Sequence, residues 1–297
     1  GALGITCQKI SEAEVMVANG IDDIFITYNI FTKKKLARLR AIADKVSALS
    51  VVGDSVAVVK ALGKTFENSS KTINVLVECD TGAGRCGVQG PEDAVKLAKE
   101  IINTPGLTFG GLMTYPAVNS TRNVVQFMNK TKRLLNHDHL SCPVISSGGS
   151  PDMWKAKTFG IITEYRAGTY IYNDRSLVKR GTCTWVDCAG FVLATVVSTP
   201  IPDRAIIDAG SKVLTSDLSG FSDYGYVRGH PEVSIVQLSE EHGILKVDPD
   251  KPLLIGEQIW IVPNHVCVVA NMFDNFWIYG GDGSVTQLKT DARGCII

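Results

Sequence analysis

Residues 73–106 read INVLVECDTGAGRCGVQGPEDAVKLAKEIINTPG. The opening INVLVE is a short, nearly continuous apolar run, the pattern of a strand buried on both faces. DTGAGRCGV, Asp80–Val88, is a glycine-rich turn in which the backbone is free to approach a ligand. Pro91 then stands in the first turn of an amphipathic helix, and Asn-Thr-Pro-Gly ends it. Strand, turn, helix and stop make one βα unit, and a succession of such units implies a parallel sheet.

The same unit recurs on either side. ALGITCQ, DIFITYN, ALSVVGD, INVLVECD, FGGLMTYPA, PVISSGG and EYRAGTYIY read as seven strands. Helical stretches lie between most of them, among them SEAEVMVANG, with Ser11 as N-cap and Glu14 completing a capping box. A parallel sheet of this kind is either open or closed as a barrel. After about Gly181 the pattern changes to strand-like segments separated by turns, including HVCVVANMFD. The expected organisation is therefore a β/α domain over 1–181 and a β-rich domain over 182–297.

Lys plus Arg equals Asp plus Glu, 30 each, which argues against a nucleic-acid or polyanion surface. No apolar run is long enough to span a bilayer. The eight cysteines are scattered, without the density of a disulfide framework, so reduced thiols and a cytoplasmic location are expected.

Three places carry chemistry. In a parallel α/β protein the carboxyl ends of the strands bear the active site, which puts Arg85 where it can hold an anion or a phenolate-like oxygen. VISSGGSPD, Val144–Asp152, offers hydroxyls and backbone N–H groups suited to a phosphate, although it lacks the lysine and spacing of a nucleotide P-loop. YRAGTYIY, Tyr165–Tyr172, adds a second Gly-Thr corner, and two such corners on consecutive strands match a barrel phosphate site. Finally, PNHVCVVANMFD, Pro263–Asp274, sets His265 and Cys267 two residues apart, on one face if the segment is a strand. Imidazole and thiolate together suit a borderline-soft divalent ion, with positions left open for substrate. A buried histidine beside an inert cysteine is the plainer alternative.

Taken in order, GITCQKISEAEVMVANGI, DTGAGRCGV, VISSGGSPDMW, TEYRAGTYIYNDRS, DAGSKVLTSD, LSEEHG and PNHVCVV resemble the D-threonine aldolase and D-serine dehydratase family over nearly the whole chain. The resemblance implies an alanine racemase-like (β/α)8 barrel with a C-terminal β domain. It also implies pyridoxal 5'-phosphate, a divalent metal (zinc or manganese), and a homodimer acting on a small D-3-hydroxy amino acid. In that family Arg85 would face the cofactor's ring oxygen. Ser147, Gly148, Gly149, Gly168 and Thr169 would hold its phosphate with Tyr172, Gln8 would line the site, and His265 and Cys267 would bind the metal.

The aldolases tend to carry His-x-Asp, so His-x-Cys points to the dehydratase branch, with D-threonine aldolase as the alternative. The family's Schiff-base lysine stands on the first barrel strand. Neither Lys9 nor Lys212 matches it, and the chain opens at GALGITCQ without Met. The lysine and the first strand are thus expected upstream of Gly1, the alternative being a truncated cofactor-binding relative without turnover.

Overall fold

The structure is a computed structural model that describes residues 1–297. The chain forms two compact units, Gly1–Ala167 together with Cys295–Ile297, and Gly168–Gly294.

In the first unit seven parallel strands curl into a barrel-like sheet in sequence order. They are β1 (Ile5–Cys7), β2 (Asp23–Ile26), β3 (Ala48–Gly53), β4 (Ile73–Glu78), β5 (Leu107–Met113), β6 (Val144–Gly148) and β7 (Glu164–Arg166). The crossovers are α1 (Ile10–Ala18), α2 (Lys33–Ala43), α3 (Val56–Phe66), α4 (Pro91–Ile102) and α5 (Thr121–His137).

Alternation along each strand sorts side chains to two faces. On β4, Ile73, Val75 and Val77, with Cys79 just beyond its end, join the large core that also buries Val58, Val59, Leu62 and Phe66 of α3. Each such side chain stabilises the fold by ~1.5–3 kcal/mol when fully buried. The opposite face holds a much smaller cluster, Phe25, Val52, Leu76 and Met113, with Val144 packed against it. Pro91 starts its helix as expected, and Ser55 caps α3, its Oγ accepting from the Val58 N–H at 3.4 Å.

The start of α1 differs from expectation. Lys9 is the N-cap, and Glu12 Oε2 accepts from the backbone N–H groups of Gln8 (2.7 Å) and Lys9 (2.9 Å). Ser11 instead bonds Ile297 at the chain end, and Glu14 pairs with Arg38 at 2.7 Å. Glu12 sits nearer the orphan donors of the first turn than Glu14 does, so it takes them.

The second unit contains a six-stranded sheet, every pairing antiparallel. Its strands are β8 (Val192–Ile201), β9 (Arg204–Ile207), β10 (Tyr226–Val227), β11 (Ser234–Leu238), β12 (Gly243–Lys246) and β13 (Gln258–Val262), in the order β10-β13-β8-β9-β12-β11. A hairpin, β14 (Asn275–Tyr279) and β15 (Val285–Lys289), and short helices α6 (Arg175–Lys179), α7 (Ser211–Leu214) and α8 (Val266–Met272) complete it. Val192, Ala194, Val196, Ile207, Ile235, Leu245, Ile259 and Ile261 centre its core.

HVCVVANMFD is therefore not a strand over its length. The chain leaves β13 at Val262 and turns into α8 from Val266. Val266 and Val269, one helical turn apart, are the buried pair, and a short apolar run satisfies either period. No helix is long and apolar enough to cross a membrane.

Candidate active site

The expected residues of the first unit lie at the carboxyl ends of its strands. Arg85 follows β4 and is exposed, its guanidinium 4.8 Å from the Tyr115 ring centroid, within cation–π range. Tyr115 follows β5 and reaches toward Gly149, where an added Cβ would stand 3.6 Å from its ring. Ser147 and Gly148 end β6, and Gly149 follows at φ +111°, a conformation other residues rarely adopt. Gly149 is tied down at both ends: its N–H donates to Arg166 O at 2.7 Å, and its carbonyl accepts from Tyr165 Oη–H at 2.8 Å. Gln8 is exposed just beyond β1.

Two charged groups on the smaller face had no clear signal in the sequence. Arg166, on β7, donates to Ser146 Oγ at 2.7 Å and to Thr114 O at 2.9 Å, and lies 5.7 Å from the Phe25 ring centroid. Burial draws its pKa down to about 10, against the attraction of Glu164 and Glu78, so it remains a cation at neutral pH.

Glu78, the last residue of β4, is 3 % exposed. Burial first, then the neighbouring Asp54 charge, push its carboxyl up to about 7; Arg85, Arg166 and a 3.3 Å bond from Asn29 Nδ2 oppose them. Ligand atoms of Asp54, Glu78 and Cys86 all lie within 4.8 Å of one another. The alternation that hides Glu78 among INVLVE makes it look like a strand end; its in-phase spacing with Leu76 was the available hint.

In the second unit, His265 and Cys267 do come together, although by a helix start rather than a strand. His265 is the N-cap of α8 and Cys267 lies in its first turn. The imidazole is close enough to the thiol to lower its pKa, and Thr169 Oγ1 is 3.4 Å from Cys267 Sγ. Thr169, expected at a phosphate, thus has its hydroxyl at the thiol.

His265 Nδ1 lies 2.9 Å from Asp174 Oδ2. Asp174, then Cys267, raise His265 to about 10; partial desolvation of its sulfur raises Cys267, but its contacts with His265 and Thr169 prevail and lower it. Tyr172 packs edge-on to Phe276 at 6.3 Å, and its carbonyl accepts from the Ala189 N–H. Gly168 caps the turn Thr169–Ile171.

Other residues considered from the sequence are engaged elsewhere. Lys9 lies over the Tyr28 ring at 3.5 Å, and Lys212 pairs with Glu241. A cavity of about 600 Å³ between Thr199 and Ile255 is lined by none of the candidate residues.

The residues present fit the groups that the fold implies. Ser147 is completely buried, and its Oγ has no hydrogen-bond partner, although buried hydroxyls are normally satisfied. A phosphate oxygen beside it would remove that deficit. The imidazole–thiolate donor pair, with Cys267 exposed, suits a divalent ion of zinc-like softness.

A curled parallel sheet with its glycine turns at the strand ends, and an antiparallel domain after it, is the alanine racemase-like architecture. The model of the alanine racemase N-terminal domain matches residues 1–176, and that of a serine dehydratase domain matches residues 189–279. The chain belongs to the D-threonine aldolase and D-serine dehydratase family, pyridoxal-phosphate-dependent D-amino acid lyases. The D-threonine aldolase of Arthrobacter sp is 32 % identical over 99 % of this chain and 80 % of its own.

The crystal structure of D-threonine aldolase from Filomicrobium marinum superposes with a TM-score of 0.89 at 31 % identity, covering 100 % of this chain and 84 % of that one. D-threo-3-hydroxyaspartate dehydratase from Delftia sp. HT23 gives a TM-score of 0.87 at 26 % identity, over 97 % and 84 % of the two chains. A cysteine-to-alanine variant of a D-threo-3-hydroxyaspartate dehydratase has been solved in a metal-free form.

Proposed function

We propose that this chain is a pyridoxal-phosphate- and divalent-metal-dependent lyase of the D-serine dehydratase type, converting a D-3-hydroxy amino acid to a 2-oxo acid and ammonia. The observation that carries the reading is the pairing of His265 with Cys267 at the start of α8. The family resemblance links His-x-Cys to the dehydratases, and the metal-free cysteine variant of a dehydratase supports that link.

Pyridoxal phosphate, when bound, supplies an electron sink for the substrate α-carbon. A zinc or manganese ion supplies a Lewis acid for the β-oxygen. Ser147 donates its free hydroxyl to the phosphate, and Gly148 and Gly149 bring backbone to it, with Gly168, Thr169 and Tyr172 in the roles that the resemblance assigns. Arg85 presents a cation to the ring oxygen, and Gln8 lines the approach. His265 and Cys267 hold the metal. Glu78, titrating near neutrality on the inner face of the barrel-like sheet, is able to hold a proton there. Neither Lys9 nor Lys212 takes the place of the family's Schiff-base lysine. A homodimer in the cytoplasm is the expected setting, the latter supported by eight free thiols.

A retro-aldol reaction giving glycine and an aldehyde is the second reading, favoured by the higher identity to the two D-threonine aldolases. The test uses the full-length polypeptide, loaded with pyridoxal phosphate and Zn²⁺ or Mn²⁺, with D-serine, D-threonine or D-3-hydroxyaspartate. We expect 2-oxo acid and ammonia, lost on chelation and in Cys267→Ala, with the cofactor's absorbance retained. Glycine as the product would transfer the assignment to the aldolases, and turnover indifferent to chelator would overturn the metal role.

A further inference from the structure

The carboxylate behind His265 has a geometry that fixes what the imidazole is able to do. Asp174 is completely buried, at the N-cap of α6. Its Oδ1 accepts from the Leu177 N–H at 3.0 Å and from Ser176 Oγ–H at 2.7 Å. Its Oδ2 accepts from the Val266 N–H at 3.1 Å and lies 2.9 Å from His265 Nδ1. An unprotonated oxygen already accepting a backbone N–H offers a second neighbour a lone pair and no proton. The short contact to Nδ1 is therefore a hydrogen bond only when Nδ1 carries the hydrogen. That leaves Nε2 as the ring nitrogen that gives a lone pair to a metal once its own proton is displaced. The same carboxylate fixes the N-terminus of α8 through Val266, and so the helix turn on which Cys267 stands.

We propose that Asp174 is a positioning residue for the metal pair: it locks the His265 tautomer, aims Nε2, and anchors the α8 turn that brings Cys267 alongside. The inference rests on the metal reading of His265 and Cys267 and adds a residue to it. An outer carboxylate that orients a histidine ligand affects metal affinity by about 10–100-fold when it is changed.

Asp174→Asn removes the tautomer lock, and the ring-¹⁵N spectra of the wild type separate that role from a purely structural one. Asparagine is as good an N-cap as aspartate, so Leu177 and Ser176 keep their acceptor and α6 keeps its start. The amide Nδ2 then replaces Oδ2, favours the opposite tautomer with hydrogen on Nε2, and leaves the Val266 N–H without its acceptor. The experiment measures Co²⁺ affinity by chelator competition, following thiolate-to-cobalt absorption, in wild type, Asp174→Asn, Ser176→Ala and His265→Ala loaded with pyridoxal phosphate. Expected are a loss of about tenfold or more in Asp174→Asn and none in Ser176→Ala, with an unchanged unfolding midpoint in Ser176→Ala and a lowered one in Asp174→Asn, where the Val266 N–H loses its acceptor.

An Asp174→Asn affinity within about twofold of a wild type that needs His265 would overturn the proposal while leaving the metal reading intact. A wild type with no thiolate-to-cobalt absorption, and no better affinity than His265→Ala, overturns both. Should Asp174→Asn fail to fold, ring-¹⁵N histidine spectra of the Zn²⁺-loaded wild type decide the matter. Hydrogen on Nδ1 with Nε2 bound to metal supports the assignment, and metal on Nδ1 refutes it.

Discussion

Glu78→Gln tests the charge balance on the inner face of the barrel-like sheet. The carboxyl titrates at about 7, against an ordinary value of 4.5, chiefly because it is buried and lies near Asp54. Its folded pKa is thus raised, and between the two values the native state holds more protons than the unfolded chain. Stability then falls as pH rises through this window. A displacement of this size amounts to ~3 kcal/mol of destabilisation once the group is fully ionised, and to under ~1 kcal/mol near pH ~5. Glutamine keeps the shape and removes the titration.

Urea unfolding of protein without added cofactor, compared at pH ~5 and pH ~8.5, should show the variant gaining up to ~3 kcal/mol over wild type at the higher pH and little at the lower. Hydrogen exchange of β4 peptides identifies the transition that belongs to the first unit. An equal effect at both pH values, or a variant less stable at high pH, would mean that Arg85 and Arg166 hold Glu78 ionised and that the burial argument is wrong.

Ser147→Ala should leave stability unchanged or raise it by up to ~1 kcal/mol, since the lost hydroxyl has no partner, while weakening pyridoxal phosphate binding measured by absorbance titration. Gly149→Ala places a Cβ at φ +111° and should cost ~1–3 kcal/mol by urea midpoint, with reduced cofactor affinity. Phe66→Ala, emptying a fully buried site, should lower stability by ~3–5 kcal/mol in the same unfolding assay without altering the metal affinity of the second unit.

The seven parallel strands were legible because each is a short apolar run followed by a turn and a helical stretch, and INVLVE is the plainest instance. The pairing of His265 with Cys267 was also legible, but for an incomplete reason. Their spacing allows convergence on a strand or at a helix start, and only the capping of Val266 by Asp174 selects the helix. Asp174 lies far from both in sequence, so no local pattern connects them. Arg166 and Glu78 escaped notice because an isolated charge in a strand reads as a solvated residue until the sheet curls and closes around it. Ser11 misled for a related reason: a good N-cap residue was claimed by a backbone carbonyl at the other end of the chain.

The curled sheet also separates what can change from what cannot. Its outer side is a thick greasy shell under the helices, whereas the inner side has four apolar residues as its buried cluster and otherwise carries ionisable groups. Exchanging inner side chains therefore disturbs little of the packing on which cohesion depends. Such a scaffold is able to drift between neighbouring chemistries, water loss or carbon–carbon scission, while its architecture stays put.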